Sequence, residues 1–499
     1  MSTLATGTVL DKSFFGHPRG LATLFFTEMW ERFSYYGMRA LLILFMTEET
    51  ISANPGLGFD VTTSAAIYGL YTSLVYLLAL PGGWVADNLW GQRKAVYVGG
   101  WIIAMGHFTM AVPTRYTFFL GLVFIIIGTG LLKPNVSTIV GELYPEGGAA
   151  RDAGFSVFYM GINLGALIGP LLCGLAGENY NWHYGFSLAG IGMVLGLVQF
   201  KYGYKYLGDA GNLKTDDDAA TIARKAKKFY ALIGLLGALI VVFGFLVSSG
   251  VWALTLTDIA AGLGILILVL AAVYFIYLLF FAGHTKDEKK RIGAIIWLFV
   301  LAAIFWSGFE QAGSSLNLFA KDLTDRVVLG WEMPASFLQS INSTFIIIFA
   351  PMFGAMWIWL ARRKANPSIP VKFALGLIGL SAGFFVISWG AANATPGVPV
   401  SPSWLVVMYF LHTVGELCLS PIGLSSITKL APVNRMGQMM GVWFVATALG
   451  NLFAGLVAGR LETLAPTSLF GSVAMMIGAA GIVAVIFSSR VQRLIKGVE

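Results

Sequence analysis

Long apolar runs alternate with short polar stretches along the whole chain. A helix needs about 20 mostly apolar residues to cross the hydrocarbon core of a bilayer, and fourteen runs come close to that length. The pattern therefore predicts an all-α polytopic membrane protein with fourteen transmembrane helices. The predicted spans lie near residues 21–47, 63–86, 95–112, 117–141, 154–175, 184–207, 230–249, 259–281, 293–318, 337–361, 373–391, 403–428, 437–458 and 468–489.

Two charged loops divide these spans into three groups. The loops "GDAGNLKTDDDAATIARKAKKF" and "AGHTKDEKKR" bracket two spans that have no charge in their apolar cores. Six spans precede this pair and six follow it, and transporters are often built from two related bundles with the substrate site between them. The sequence predicts a six-helix bundle at 1–207, a linker with two extra helices at 208–291 and a second six-helix bundle at 292–499.

Composition and charge agree with a membrane protein and set its orientation. Hydrophobic residues make up 57% of the chain and charged residues only 11%, whereas soluble domains carry about a quarter charged residues. With the N-terminus inside, 25 of the 32 Lys and Arg residues fall in inner segments, four in outer loops and three within spans. This bias predicts cytoplasmic termini, and it explains the basic balance without a nucleic-acid partner.

The sequence shows no pattern of an enzyme or of a metal site. Its two cysteines, Cys173 and Cys418, give neither a disulfide framework nor metal-ligand spacing. There is no HExxH, no GxSxG and no phosphate-binding loop. The N-terminal segment lacks the features of a removable signal peptide and is interpreted as a short polar tail. We therefore expect a protein that is not an enzyme and that binds no metal or organic cofactor.

The first span carries charges where hydrocarbon is expected. In "FFTEMWERFSYYGMR", residues 25–39, a polar stripe runs along one helix face, because residues three, four and seven apart share a face. A charge is costly inside a membrane, so this stripe must face a helix bundle or a watery cavity. One alternative is a buried ion-pair cluster that only fixes helix packing. The stripe consists of Glu28, Glu31, Arg32, Tyr35, Tyr36 and Arg39.

Other polar residues lie at the depth of the membrane in both halves. The first half contributes Lys133, which precedes Pro134 on the fourth span, and Asn163 on the fifth. The second half contributes Glu310, Asn342 and Glu416. A cavity lined by Arg32 and Lys133 on one side and by Glu416 on the other would be dipolar. Such a cavity suits a zwitterionic substrate.

Several of these stretches resemble one family. "ExxERFSYYG" at residues 28–37 looks like the first-helix motif of the proton-dependent oligopeptide transporters, which belong to the major facilitator superfamily. "FSVFYMGINLGAL" at 155–167 is similar to the family's fifth-helix signature, and "GGWVADNLWGQRK", "GTGLLKPNVS" and "GELCLSPIGLSSITKLAP" are similar to further motifs. The arrangement of six, two and six spans is that of the prokaryotic members. The resemblance covers nearly the whole chain.

The resemblance implies a proton-coupled symporter that imports di- and tripeptides by alternating access. Arg32 and Lys133 would bind the peptide carboxylate, Glu416 its amino group, and Asn163 and Asn342 its backbone. Aromatic side chains would shape the side-chain pockets, and the second span leaves open whether Tyr68 or Tyr71 faces the site. These aromatic residues are Tyr35, Tyr36, Tyr71, Trp306 and Trp443. The proton-coupling set would be Glu28, Glu31, Arg32, Lys133 and Glu310.

Protons are then the only co-substrate, and their coupling must depend on carboxylates. Animal members carry an essential histidine on the second span, where this chain has none. We interpret His107 and His412 as hydrogen-bonded bundle residues rather than relays. We expect Glu310 to pair with Arg39, a gate residue, or with Lys133, and to release its partner on protonation. The expected context is a plasma membrane, a bacterial inner membrane, with lipid contacts and a monomeric transport unit.

Three alternatives remain open at this level. A facilitator-type exporter or an anion carrier could use the same scaffold, but plant relatives that move anions generally lack the "ExxER" cluster. A membrane-embedded enzyme would need a nucleophile and base, or metal ligands, at depth. A sensor or scaffold would be expected to carry a sizeable soluble domain.

Overall fold

The structure is a computed structural model that describes residues 13–395, 397–432 and 435–495. The predicted polar tail up to Lys12 and the last four residues lie outside the described residues. Within the described part, sixteen α-helices account for most of the chain. They are α1 (Arg19–Thr47), α2 (Val61–Leu77), α3 (Ala79–Val85), α4 (Gln92–Met110), α5 (Arg115–Glu142), α6 (Gly148–Asn179), α7 (Trp182–Gly203), α8 (Ala219–Ser248), α9 (Leu256–Ile276), α10 (Lys286–Phe309), α11 (Ser315–Asp322), α12 (Ser340–Arg362), α13 (Ile369–Ala392), α14 (Ser403–Leu430), α15 (Met436–Ala458) and α16 (Pro466–Leu494).

Short irregular segments interrupt or extend several helices. A π-helical turn at Ala86–Trp90 continues α3, and another at Tyr277–Phe281 continues α9. In the described part of the chain, 3-10 segments include Tyr204–Tyr206, Glu310–Gly313, Ala335–Gln339 and Gly459–Glu462. The strands β1 (Val327–Val328) and β2 (Trp331–Glu332) pair antiparallel as a small hairpin, with Val328 opposite Trp331.

The sixteen helices form fourteen long helical segments in the described part of the chain. Helices α2 and α3 belong to one continuous segment, Val61–Trp90, and α10 and α11 to another, Lys286–Asp322. Twelve of these segments are long and apolar enough to cross a membrane. The other two are α1, which carries four charged residues in its middle, and the shorter α4. The predicted fold class, an all-α polytopic membrane protein with fourteen helices, is confirmed.

The two charged loops are shorter than the sequence suggested, because their ends are helical. Helix α8 begins at Ala219, where the side chain of Asp218 accepts a hydrogen bond from the backbone N–H of Thr221. Helix α10 begins at Lys286 with a capping box between Thr285 and Glu288. Each cap satisfies backbone donors that a helix start leaves without a partner, so the charged residues extend the helices instead of forming loops.

By packing, the described chain separates into two compact units. One unit holds residues 13–35, 78–166 and 186–255, and the other holds 36–77, 167–185 and 256–495. The boundaries fall inside α1, between α2 and α3, inside α6, inside α7 and before α9. These units are defined by which residues pack together in space. The predicted bundles were instead separated at the two charged loops of the sequence. The division at 207/208 and 291/292 therefore stays a prediction.

The first unit has an apolar core built from α1, α4, α5, α6 and α7. Fully buried aliphatic and aromatic side chains fill it, and their many van der Waals contacts hold the helices together. Among them are Leu21, Leu24, Ile103, Leu132, Met193 and Phe200. This core holds the first half of α1 and the middle of α5, which carry predicted site residues.

The second unit depends on close helix contacts at small residues. A Cβ atom on Gly69 of α2 would lie 3.0 Å from the Cα of Gly455 on α15. A Cβ on Gly455 would lie 2.5 Å from the carbonyl oxygen of Ala65. Membrane helices associate through such close backbone approach, because lipid gives them no hydrophobic driving force to pack. The contact positions α2, on which Tyr68 and Tyr71 lie.

We expect Gly455→Ala to destabilise the purified protein by about 1–3 kcal/mol, because the added methyl group overpacks the contact between α2 and α15. The matched control is Gly234→Ala on α8, where a Cβ atom would meet no atom within 4 Å. Thermal unfolding in detergent should show a lower midpoint for the first variant and an unchanged or slightly higher one for the second. Equal midpoints would contradict the close packing.

Candidate functional site

The first half of α1 carries a buried ionic cluster in the first unit. The side chains of Glu28, Glu31 and Arg32 are at most 4% exposed. The Nε of Arg32 lies 3.1 Å from Glu28 Oε1 and also donates a short hydrogen bond to Glu31. The Arg32 guanidinium also lies 5.2 Å from the ring centre of Tyr35, within cation–π range. One cation is therefore shared between two carboxylates.

Two carboxylate oxygens of this cluster are left without a hydrogen-bond donor. Glu28 Oε2 and Glu31 Oε1 are buried and accept no hydrogen bond from the described residues. A carboxylate at low dielectric is sensitive to the cations near it, so a change in the position of Arg32 would alter the charge balance of the cluster.

Helix α6 packs against the cluster through the glycines of "GINLGAL". A Cβ atom on Gly165 would lie 2.2 Å from the carbonyl oxygen of Met29 and 2.8 Å from the Cβ of Arg32. Only glycine permits this approach, so the motif holds the backbone of α6 directly against the Arg32 turn. Asn163 on the same turn of α6 is 5% exposed, and its amide donates to the carbonyl of Tyr159 at 3.0 Å.

Lys133 on α5 belongs to the same unit and interacts electrostatically with Glu28. It is half-buried, and Pro134 follows it inside the helix. Asn135 donates hydrogen bonds to the carbonyls of Leu131 and, across to α3, Gly82. The region around Lys133 is thus held firmly, and two basic residues of the predicted site, Arg32 and Lys133, lie in one unit with two acidic ones.

The second half of α1 carries a separate ion pair in the second unit. Arg39 Nη2 lies 2.7 Å from Glu310 Oε2, and both side chains are buried. Arg39 Nε donates a 2.5 Å hydrogen bond to the hydroxyl of Tyr68, and its guanidinium lies 5.5 Å from the ring centre of Tyr36. Of the two partners expected for Glu310, Arg39 is the one that pairs with it within this unit.

A break in the helical segment positions Glu310. Helix α10 ends at Phe309, the 3-10 turn Glu310–Gly313 follows, and α11 starts at Ser315. A Cβ atom on Gly313 would lie 1.9 Å from the Tyr68 hydroxyl, so this position must be glycine for the tyrosine to reach Arg39. Just beyond the break, the amide of Asn317 donates to the carbonyl of Ala40 on α1 at 2.8 Å. The interrupted helix is thereby held against α1 at the ion pair and again one step beyond the break.

A third group of polar residues links α12 and α14. The amide nitrogen of Asn342 lies 3.2 Å from Glu416 Oε2 and 2.9 Å from the hydroxyl of Thr413. Glu416 is 8% exposed, and no cation pairs with it among the described residues. A buried carboxylate with only a neutral hydrogen-bond partner is short of positive charge, and a ligand ammonium group would supply it.

The remaining predicted side chains lie in the second unit. Tyr71 is buried, Trp306 is half-buried and Trp443 is 7% exposed. Close glycines seat both tryptophans: a Cβ on Gly450 would lie 2.5 Å from Trp306 Cβ, and one on Gly423 would lie 2.1 Å from the Trp443 ring.

The two spans with histidine place those side chains in packed surroundings. His107 Nε2 lies 3.1 Å from the hydroxyl of Ser34 in the first unit. The His412 ring packs 4.8 Å from that of Phe384 in the second. Their interpretation as bundle residues stays a prediction. Among the described residues, no group of three His, Cys, Asp or Glu side chains could hold a metal ion.

Two contacts of the second unit go beyond what the sequence indicated. The hydroxyl of Tyr68, one of the two tyrosines left open on the second span, accepts a hydrogen bond from Arg39. Glu178 at the end of α6 accepts hydrogen bonds from the backbone N–H groups of Ala335 and Ser336, at 2.7 and 3.0 Å. Its position at a helix end, next to a predicted outer loop, gave no indication of a buried acceptor.

Comparisons with known proteins agree with this picture. The family model described as "POT family" matches residues 93–472. The "Peptide transporter YePEPT" of Yersinia enterocolitica subsp. palearctica is 43% identical over 503 residues, which cover 97% of each chain. The "Di-/tripeptide transporter" of Lactococcus lactis subsp. cremoris is 35% identical over 497 residues, with 98% of this chain and 99% of that one covered.

Solved structures are equally similar. A structure described as "peptide transporter POT in complex with sulfate" superposes with a TM-score of 0.89 at 41% identity, covering 98% of both chains. A "POT family transporter in complex with 5-aminolevulinic acid" superposes with a TM-score of 0.88 at 36% identity, covering 97% of this chain and 98% of that one. The resemblance that the motifs indicated is therefore confirmed, and this chain is a multi-pass membrane protein that belongs to the POT family.

Proposed function

We propose that this protein is a proton-coupled symporter that imports di- and tripeptides by alternating access. Membership of the POT family makes it a transporter rather than an enzyme. The observation that carries proton coupling is the buried ion pair between Arg39 and Glu310, at a break in a membrane helix. Peptides as substrates are supported by the names of the two bacterial relatives.

Proton coupling follows from the cost of breaking a buried pair. An unpaired charge left at low dielectric costs several kcal/mol, so Arg39 and Glu310 hold the helices that carry them together. A proton on Glu310 removes one charge of the pair and weakens the attraction to the guanidinium. Arg39 keeps the hydroxyl of Tyr68 as a partner, which lowers the cost of release. The pair is thus a two-state element that a proton can switch.

The cluster of Glu28, Glu31 and Arg32 supplies a second place for a proton. When Arg32 binds a substrate carboxylate, it weakens its bonds to its own two carboxylates, and one of these is then expected to take up a proton. Substrate and proton would in this way be bound together. Lys133 interacts with Glu28. We propose that it also binds the substrate carboxylate and that its interaction with Glu28 weakens when it does so.

The proposed mode of recognition anchors the two ends of the peptide. Side chains vary among peptides, but each unmodified peptide has one carboxylate and one ammonium group. Arg32 offers a planar fork and Lys133 a point charge to the carboxylate, and Glu416 takes the ammonium group. Asn342 holds Glu416 in place, and Asn163 and Asn342 are proposed to bond the peptide backbone.

The ligand of one solved relative fits this mode. 5-Aminolevulinic acid carries an amino group and a carboxyl group at opposite ends of a short chain, as a small peptide does. Pockets for the variable side chains are proposed at Tyr35, Tyr36, Tyr71, Trp306 and Trp443.

Glu310→Gln is expected to abolish uphill accumulation driven by a proton gradient, because glutamine cannot take up or release the coupling proton. Lys133→Ala should act in the same way, since it leaves Glu28 short of positive charge. Counterflow of labelled dialanine in proteoliposomes should survive in Glu310→Gln, because exchange needs no net proton movement. Glu332→Gln, an exposed position in the β1–β2 hairpin, is the control and should accumulate normally. Normal accumulation by Glu310→Gln would refute the assignment.

Glu416→Gln is expected to remove the preference for a free peptide amino group. In the unaltered protein, N-acetylated dialanine would leave Glu416 without its partner, a loss of about 1–3 kcal/mol, which corresponds to roughly tenfold or more in affinity. Competition for dialanine uptake by the N-acetylated and C-amidated forms measures this preference. The control is Glu146→Gln, an exposed loop position. If Glu416→Gln still discriminates against the N-acetylated form, Glu416 does not bind the amino group.

We further propose a plasma membrane location, the inner membrane of a bacterium, with both termini cytoplasmic and a monomer as the transport unit. In a background with Cys173 and Cys418 replaced by serine, Leu329→Cys should react with a membrane-impermeant maleimide in intact cells, because Leu329 is fully exposed in a predicted outer loop. Asp216→Cys, in the exposed 208–218 loop, should react only after the cells are permeabilised. Labelling of Asp216→Cys in intact cells would contradict the predicted orientation, in which the 208–218 loop is cytoplasmic.

A further inference from the structure

An apolar groove lies on the first unit where α8 begins. Its volume is about 390 Å³, and it lies between α3 and the first turns of α8. Pro81 and Trp84 form one wall, and Phe229 and Leu232 form the other. The rings of Trp84 and Phe229 stack with their centres 5.2 Å apart. The groove is therefore bounded by aromatic and aliphatic side chains of two helices that contact each other through these rings.

The apolar wall of this groove is exposed to a degree that only a membrane explains. Trp84 is 39% exposed and Leu232 is 53% exposed, and no residue in the described apolar stretch of α8 is buried. In a membrane protein, such a surface faces hydrocarbon. An acyl chain is the expected occupant of an apolar groove in this surface, because its methylene groups can fill the groove and contact both walls.

Two lysines line the end of the groove that is nearer to the start of α8. Lys225 donates hydrogen bonds to Asp217 and, at 3.3 Å, to Asn88 on the π-helical turn. The hydrogen bond from Lys225 holds the pKa of the Asp217 carboxyl below its ordinary value, so this carboxylate stays charged and neutralises Lys225. Lys228 is exposed and has no ion-pair partner among the described residues. One positive charge at the groove is thus left over.

The surrounding helix start adds to this charge. The segment "ARKAKKF" at 223–229 places Arg224, Lys225, Lys227 and Lys228 within a turn and a half of helix. Basic clusters next to a membrane-spanning stretch attract anionic headgroups, by about 1 kcal/mol per residue. Uncompensated cationic charge beside an apolar groove matches the chemistry of an anionic phospholipid, whose headgroup and acyl chain are joined.

We propose that this groove binds an anionic phospholipid, with an acyl chain between Trp84 and Leu232 and the phosphate at Lys228. With the orientation proposed above, the lipid belongs to the cytoplasmic leaflet. Helix α8, the first of the two inserted helices, would then serve to form a lipid site, and the bound lipid would hold α8 against α3 in the first unit. Neither the proton-coupling residues nor the proposed peptide site take part in it.

The first experiment measures headgroup selectivity with a matched pair of variants. Lys228→Gln removes the lysine that lines the groove, and Lys227→Gln removes the same charge from its exposed neighbour, which does not line it. Native mass spectrometry of the purified full-length protein with phosphatidylglycerol should show about fivefold weaker binding for Lys228→Gln, as expected for one lysine. Lys227→Gln should show a clearly smaller loss, because this lysine belongs to the basic segment but does not line the groove. Equal losses in the two variants would mean general attraction to a basic segment and would overturn the site.

Two further arms separate the possible occupants. Phosphatidylcholine should bind less well than phosphatidylglycerol, and inorganic phosphate should not displace the bound lipid. Equal binding of the two lipids, displacement by phosphate, or occupation of the groove by a second copy of the chain would each refute the proposal. A dimer that loses its interface in Leu232→Glu would reveal the last case.

The acyl chain is tested by its contact with Trp84. Phosphatidylglycerol with brominated acyl chains should quench part of the tryptophan fluorescence of the unaltered protein, and Trp84→Phe should lose that part while it keeps a bulky ring in the wall. An equal degree of quenching in both proteins would show that no acyl chain lies beside Trp84. Since Trp84→Phe conserves shape, a loss of folding is not expected, and the thermal midpoint checks this directly.

Discussion

The cost of placing a charge at membrane depth is the constraint that organises this protein. The charges in the middle of α1 have partners: Arg32 lies close to Glu28 and Glu31 of the same helix, and Arg39 pairs with Glu310. Without those partners, each buried ion would lose several kcal/mol of hydration free energy with nothing to offset it. The first set is satisfied within α1, whereas the second requires the segment that carries Glu310 to meet α1 at the Arg39 turn.

The same constraint makes these groups suitable for transport. A stable apolar contact cannot be switched by a proton, but an ion pair can, because protonation of its carboxylate removes one of the two charges. The Arg39–Glu310 pair has an added feature, since the hydroxyl of Tyr68 remains bonded to the guanidinium. Glu310 also lies at the break between α10 and α11. In the proposed mechanism, this break would let a small backbone rotation move the carboxyl group when it takes up a proton.

Glycines allow the helices that carry these polar residues to approach each other closely. Gly165 allows α6 to touch the Arg32 turn, and Gly313 leaves the space that the Tyr68 hydroxyl occupies. Gly69 and Gly455 bring α2 close to α15. Residues without a side chain thus determine how close the helices with functional side chains can come. The exposed glycines of α8, such as Gly234, have no such role, which agrees with the lipid-facing surface of that helix.

The sequence by itself determined the fold class, the helix count and the candidate charges, because hydrophobic length and the rarity of ions in hydrocarbon are local properties. Its motifs also indicated the family that the comparisons confirm. The tertiary structure adds the contacts within the second unit, where Arg39 pairs with Glu310 and donates a hydrogen bond to the hydroxyl of Tyr68. The break at Glu310–Gly313, the helical starts of α8 and α10 within charged segments, and the groove at Trp84 were likewise decided by the tertiary structure. Periodicity can show which residues share a helix face, but which partner each face meets depends on contacts between segments far apart in the chain.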